Sequence, residues 1–160
     1  MNIRMATLPQ LLRDHARRSP QRLSQRHKTR GIWREYDFSQ VQRTVMELAL
    51  GLHQLGIQRG ETVAIIGENE PQHYWAEYAA QAVGCKVISL YPDLTADEVQ
   101  YLLDDSEAVC LFAQDQEQVD KGLAVKTATP NLRHIVYWDD TGMWSYRDPI
   151  LRKFHQLQSE

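Results

Sequence analysis

The sequence predicts an α/β protein: a parallel β-sheet flanked by helices, preceded by a helix and a β-hairpin. Three observations lead there. Short strand candidates lie at 62–66, 86–90, 109–113 and 135–138, and the run at 62–66 lacks polar alternation, as expected of a strand covered on both faces. Between them lie segments with apolar residues at helical spacing. Strands that alternate with helices pair in parallel, with right-handed crossovers in about 98% of such units.

The first helix starts near Thr7, with Pro9 in its first turn and Leu8, Leu11, Leu12 and Ala16 on one face. Pro20 ends that region. Residues 23–38 read as two short strands about a turn at 28–31, with Trp33, Tyr36 and Phe38 favouring extended structure. Ser39 and Gln42 have capping-box spacing. Val41, Val45, Leu48, Ala49, Leu52 and Leu55 then recur at helical spacing until Gly56. After the strand at 62–66, Pro71 suits a helix's first turn, and Tyr74, Trp75, Tyr78, Ala79 and Ala82 form its predicted buried face, closed by Gly84. Thr95 and Glu98 make a second capping box ahead of Val99, Leu102 and Leu103. Asp115 is placed to cap a helix carrying Val119 and Leu123. The tail reads as an exposed turn and a short helix. Two parts are expected: 1–58, with the first helix, aromatic hairpin and packing helix, and 59–160, the parallel α/β unit.

At 160 residues the chain is long enough to bury roughly 70% of its unfolded surface. Hydrophobic content of 42% and charged content of 24% are ordinary for a globular protein. A net charge of −3 argues against an electrostatic hold on nucleic acid. Basic residues crowd early: Arg13, Arg17, Arg18, Arg22, Arg26, Lys28 and Arg30. They read as a solvated helix face and a polar loop, with peripheral membrane contact or an anionic cofactor as the lesser alternative. Cys85 and Cys110 form no C-x-x-C pair and read as buried thiols in a reducing compartment. No apolar stretch approaches the ~20 residues of a membrane span, and the amino terminus lacks a signal-type apolar core. A cytoplasmic location is expected.

Tested residue by residue, the chain yields no reaction centre. A phosphate loop needs several glycines so that backbone N–H groups can close on the anion. The turn at 67–71 has one, followed by Glu68, Asn69 and Glu70; a helix-capping role for Asn69 or Glu70 is expected. Asp104, Asp105 and Glu107 read as a polar loop, and Asp139 and Asp140 before Gly142 as a turn. The six histidines, His15, His27, His53, His73, His134 and His155, have no zinc-ligand spacing. Ser89 and Ser106 lack a G-x-S-x-G elbow. Tyr74, Trp75 and Tyr78 are expected to pack rather than stack on a ligand. A phosphoacceptor response-regulator reading fits poorly, since Glu68 and Asp115 only imitate its acids.

One resemblance goes further. The order of "GIWREYDFSQVQ", "LGIQRGE", "GENEPQHYW", the Tyr91-Pro92 loop before Glu98 and Tyr101, "AQDQEQVDK" and "NLRHIVYWDDTGMWSYRD" resembles the amino-terminal part of AMP-forming acyl-CoA synthetases, in the long-chain fatty-acid–CoA ligase branch of the adenylate-forming superfamily. It runs from about Leu8 to Leu157. The resemblance implies one incomplete AMP-binding domain of an acid–thiol ligase of fatty acid metabolism. Such enzymes use ATP and Mg2+ to make an acyl-adenylate, then pass the acyl group to coenzyme A.

Those enzymes carry their lysine-ended phosphate loop, adenine motifs and adenylating lysine in sequence with no counterpart between Met1 and Glu160. No catalytic residue and no metal ligand is therefore assigned, cofactor contacts stay open, and no ATP, Mg2+ or CoA is expected on this chain. The fatty-acid substrate would be met by later sequence. The resemblance also implies that the face bearing Trp33, Tyr36, Phe38 or the first helix is partly exposed or buried by self-association. Three readings follow: an inactive piece of a synthetase, a free-standing module binding nucleotide, CoA or acyl group, or a regulatory partner of a full-length enzyme.

Overall fold

The computed structural model describes residues 6–158; the expectation for the extreme amino terminus falls partly outside them. A first helix, α1 (Leu8–Arg18), leads to the hairpin β1 (Leu23–Thr29) and β2 (Ile32–Asp37), then α2 (Phe38–Gln54). There follow β3 (Thr62–Ile66), α3 (Pro71–Val83), β4 (Lys86–Leu90), α4 (Ala96–Asp105), β5 (Ala108–Ala113), α5 (Gln116–Val125) and β6 (His134–Tyr137). A 3-10 turn (Met143–Ser145), β7 (Leu151–Lys153) and α6 (Phe154–Leu157) finish the chain.

The main sheet has the order β4-β3-β5-β6-β7, every pair parallel. β3 and β5 are buried along their whole length. Alternate residues feed opposite layers. Val63, Ile65, Cys110, Phe112 and Val136 pack with α1, α2, α3 and α6. Ala64, Ile66, Leu111, Ala113 and Ile135 pack with α4 and α5. This two-sided burial explains why the strands lack polar alternation.

The hairpin pairs Lys28 with Trp33 and Gln25 with Tyr36. Arg30 (φ 50°) and Gly31 (φ 82°) form its two-residue turn, the left-handed geometry that matches strand twist. Its base docks on α3: Trp75 Nε1 donates to Gln25 Oε1 at 2.7 Å, and Tyr36 meets the Trp75 ring edge-on at 5.1 Å. Trp33 and Ile32, farther out, are exposed.

Several expectations are corrected. Phe38 opens α2 rather than ending a strand. The cap is Asp37, whose Oδ1 accepts from Gln40 N at 2.7 Å while Asp37 N donates to Gln40 Oε1 at 2.9 Å. The same box spacing exists two residues before Ser39 and Gln42, and it wins because the strand already ends at Asp37. The buried face of α3 is Trp75, Ala76, Ala79 and Ala80; Tyr74 and Ala82 are exposed. Leu8 is exposed, leaving Leu12 as the buried residue of α1. The tail adds a strand, β7, too short for any periodic signal. The Thr95–Glu98 box and the Asp115 cap form as expected.

Two glycines set helix positions. A Cβ on Gly51 of α2 would lie 2.5 Å from the Leu157 carbonyl oxygen, so only glycine lets α6 abut there. A Cβ on Gly122 would press Leu111 and Ile135, at 2.9 and 3.0 Å, where α5 meets the sheet.

Candidate functional site

In an open parallel sheet, ligands bind beyond the carboxyl ends of the strands, where successive connections leave in opposite directions. Here the chain goes from β3 to β4 on one side, then returns past β3 to β5. The switch point lies between β3 and β5. Gly67 and Glu68 follow β3; Gln114 and Asp115 follow β5.

That crevice is filled by the chain itself. Gln114 N donates to Ile66 O at 3.0 Å, and Gln114 Oε1 accepts from Glu68 N at 2.6 Å. Asp139 N donates to Gln114 O at 2.8 Å. Trp138 Nε1 donates to Glu70 Oε2 at 3.0 Å. A Cβ on Gly67 would meet Gln114 Cβ at 2.7 Å and the Trp138 ring at 2.9 Å. The lone glycine of the turn thus makes room for the protein's own side chains. Glu70 occupies the cap position of α3 without a side-chain capping bond, because Trp138 engages its carboxylate.

Beside this plug, between the 67–69 turn, α3 and the loop after β4, lies a cavity of about 490 Å³. Glu68, His73, Tyr74, Glu77, Ser89, Tyr91 and Asp93 line it. His73 Nε2 and Ser89 Oγ are 3.2 Å apart. His73 Nδ1 is buried against the backbone of Gly67 and Glu68, without the geometry of a full hydrogen bond. Burial holds the His73 pKa below its ordinary value, opposed by the negative charge of Glu77 and the backbone of Gly67 and Glu68. Lys121 steadies the loop, its Nζ donating to Pro92 O at 2.5 Å while pairing with Glu117 at 2.9 Å.

The chemistry of this lining is a fit test for a triphosphate, and it fails. Among the described residues, three carboxylates and no Lys or Arg face the cavity. Like charge repels the anion, and no glycine-rich backbone cradle compensates. For a divalent cation, no group of three or more His, Cys, Asp and Glu stands ready among the described residues. The lining therefore suits neither ATP nor Mg2+. The His73–Ser89 pair has the spacing of a base and a hydroxyl, but no carboxylate orients His73 Nδ1, so a triad is not assembled.

The residues weighed from sequence disperse. Asp104, Asp105 and Glu107 are exposed at the opposite, amino-terminal end of β5. Asp140 pairs with Lys153 at 3.1 Å, and Asp139 Oδ1 accepts from Thr141 N. Asp115 caps α5. The His73–Ser89 approach escaped sequence reasoning because 16 residues and a crossover separate them. The one available signal was that each lies at or just past the carboxyl end of a strand.

Comparison with known proteins fits this architecture. The model of the AMP-binding enzyme family matches residues 12–152. The long-chain-fatty-acid–CoA ligase FadD15 of Mycobacterium bovis is 28% identical over 123 residues, covering 77% of this chain and 20% of that protein. The uncharacterized protein Rv1549 of Mycobacterium tuberculosis is 33% identical over 107 residues, 67% of this chain and 56% of that protein. The acetoacetyl-CoA synthetase of Streptomyces lividans superposes with a TM-score of 0.83 at 20% identity, over 95% of this chain and 25% of that one. The parallel sheet with its leading helix and hairpin is thus the fold found in adenylate-forming ligases. The chain belongs to the AMP-binding enzyme family, and it spans about a fifth of the length of the ligase it matches.

Proposed function

We propose that this chain is the scaffold part of a long-chain fatty-acid–CoA ligase, inactive by itself. In the complete reaction a fatty acid would be adenylated by ATP and passed to coenzyme A. Family membership supports the ligase part of this reading, and the observation that carries the inactivity is the plugged switch point, where Gln114 and Trp138 close on Gly67 at the place such sheets take a ligand. The acid-lined cavity beside it supports the same reading. Its role is to present one rigid sheet layer against which nucleotide-gripping sequence packs.

The test is fatty-acid-dependent ATP–pyrophosphate exchange by the purified 160-residue chain. No exchange above background is expected. Exchange that depends on added fatty acid refutes the reading.

A second reading, a module that binds without reacting, draws on the 490 Å³ cavity and the His73–Ser89 pair in its wall. Calorimetry with ATP, CoA and a fatty acid separates the two. Saturable heat with one ligand, abolished in His73→Ala, favours the module.

A further inference from the structure

Charge is divided unevenly along this chain. Before Glu61 lie eleven of the 18 basic residues and four of the 21 acids, a net +7; the remainder carries −10. A net charge of −3 conceals this asymmetry, and a basic segment of this kind suits an anionic surface.

The structure gathers part of that charge into a groove. Two adjoining hollows of about 510 Å³ each run along α1 and α2 and share Arg13, Gln42 and Met46. Arg17 and Arg43 line the first, and Arg59 lines the second. No carboxylate lines either, and none of the four arginines makes an ion pair among the described residues. The floor is aliphatic: Ala16, Met46, Ala49 and Val83. Met46 is 44% exposed. Unpaired guanidinium groups around an aliphatic floor match a phosphate above hydrocarbon.

The hairpin beyond the base of α2 adds an exposed aromatic beside basic side chains, although Arg26 there also pairs with Glu35 at 3.9 Å. Trp33 is 55% exposed, with Arg26 at 4.7 Å and Lys28 at 5.8 Å from its ring, and Ile32 at the tip is 68% exposed. An indole flanked by cations suits the headgroup layer, where an apolar ring and charged partners are both accommodated.

We propose that the α1–α2 groove, with the hairpin, docks on an anionic phospholipid membrane. Arg13, Arg17 and Arg43 receive headgroup phosphates and carboxylates; Met46, Trp33 and Ile32 enter the interfacial layer. A nucleic acid is the weaker fit, because the floor between the arginines is aliphatic, with Met46 open to solvent, and a phosphate backbone brings no hydrocarbon to cover it. Docking does not rest on the ligase reading: vesicle binding and pyrophosphate exchange succeed or fail separately.

The experiment is cosedimentation of the chain with phosphatidylcholine vesicles, with and without phosphatidylserine, across a salt series. Binding is expected only with phosphatidylserine, weakening as salt rises. Arg13→Gln, Arg17→Gln and Arg43→Gln should each lower it about fivefold, and the triple variant on the order of a hundredfold. Arg133→Gln, which removes the partner of Glu61 elsewhere, should leave it unchanged. Unaltered thermal melts guard against misfolding, and the single variants carry the test if the triple variant unfolds. Undiminished binding by the single variants overturns the proposal, as does no binding at low salt. Displacement by inorganic phosphate at fixed ionic strength reassigns the groove to a free anion. Salt-sensitive self-association or nucleic-acid retention without vesicle binding overturns it equally.

Discussion

The indole of Trp138 reaches back across the crest of the sheet to Glu70, its Nε1 3.0 Å from Oε2, and so ties the end of β6 to the start of α3. These residues are 68 apart in sequence. The bond lies over Gly67, and with Gln114 it closes the crevice that similar sheets leave open to ligands.

Gly67→Ala tests that closure. The added methyl meets Gln114 and Trp138 well inside contact distance. Overpacking of this kind costs about 1–3 kcal/mol. Urea unfolding should show a lower midpoint with an unchanged slope. A neutral substitution would mean that the crest is open.

Gly51→Ala sets two effects against each other. In an exposed helix, alanine gains about 1 kcal/mol over glycine. Here the methyl meets the backbone oxygen of Leu157, which no rotamer change relieves. The expected result is a net loss of about 1–3 kcal/mol, with release of α6 from α2 visible as faster amide exchange around Phe154 and Leu157.

The start of α2 is decided by one comparison. Asp37→Ala should cost about 1 kcal/mol, because it removes the acceptor for Gln40 N. Ser39→Ala should cost almost nothing. Equal losses in chemical denaturation would restore the later start.

Acid sensitivity should begin at mildly acidic pH. Burial lowers the pKa of His73 and of His134 from the ordinary 6.5, with Arg152 adding to the effect at His134. The unfolded chain then binds more protons than the native one below about that pH. Stability is therefore full above 6.5 and declines as pH falls toward the native-state values. His73→Asn should flatten the slope of the urea midpoint between neutral and mildly acidic pH. A second decline is expected below about 4, from Asp148 and Asp140, whose pKa values are held down by hydrogen bonds from Lys126 and Lys153. Those two surface pairs should weaken with salt; the histidine contribution should persist. A pH-independent midpoint across the mild range would contradict the burial of these imidazoles.

Much of the architecture was legible because it rests on local rules. Val41, Val45, Leu48 and Leu52 announce a helix by spacing alone, and all four are buried. Thr95 with Glu98, Gly84 and Pro71 mark helix ends through backbone chemistry that acts within a few residues. Errors arose where two local signals competed, as between Asp37 and Ser39, or where the element was too short to have a period, as in β7. Spacing marks Trp75 as buried, but its partner Gln25, 50 residues away, is encoded by no pattern within α3.

The order of elements, the two-sided burial of β3 and the want of a glycine-rich phosphate loop belong to the sequence alone, since each depends on neighbours along the chain. Tertiary structure decided the rest. It set the strand order that places the switch point between β3 and β5, and it brought Gln114 and Trp138 onto Gly67. It set His73 beside Ser89 and gathered Arg13, Arg17 and Arg43 around one groove. Contacts of that kind join residues whose separation in sequence carries no information about their distance in space. They form only when burial of the shared sheet pulls several elements together at once.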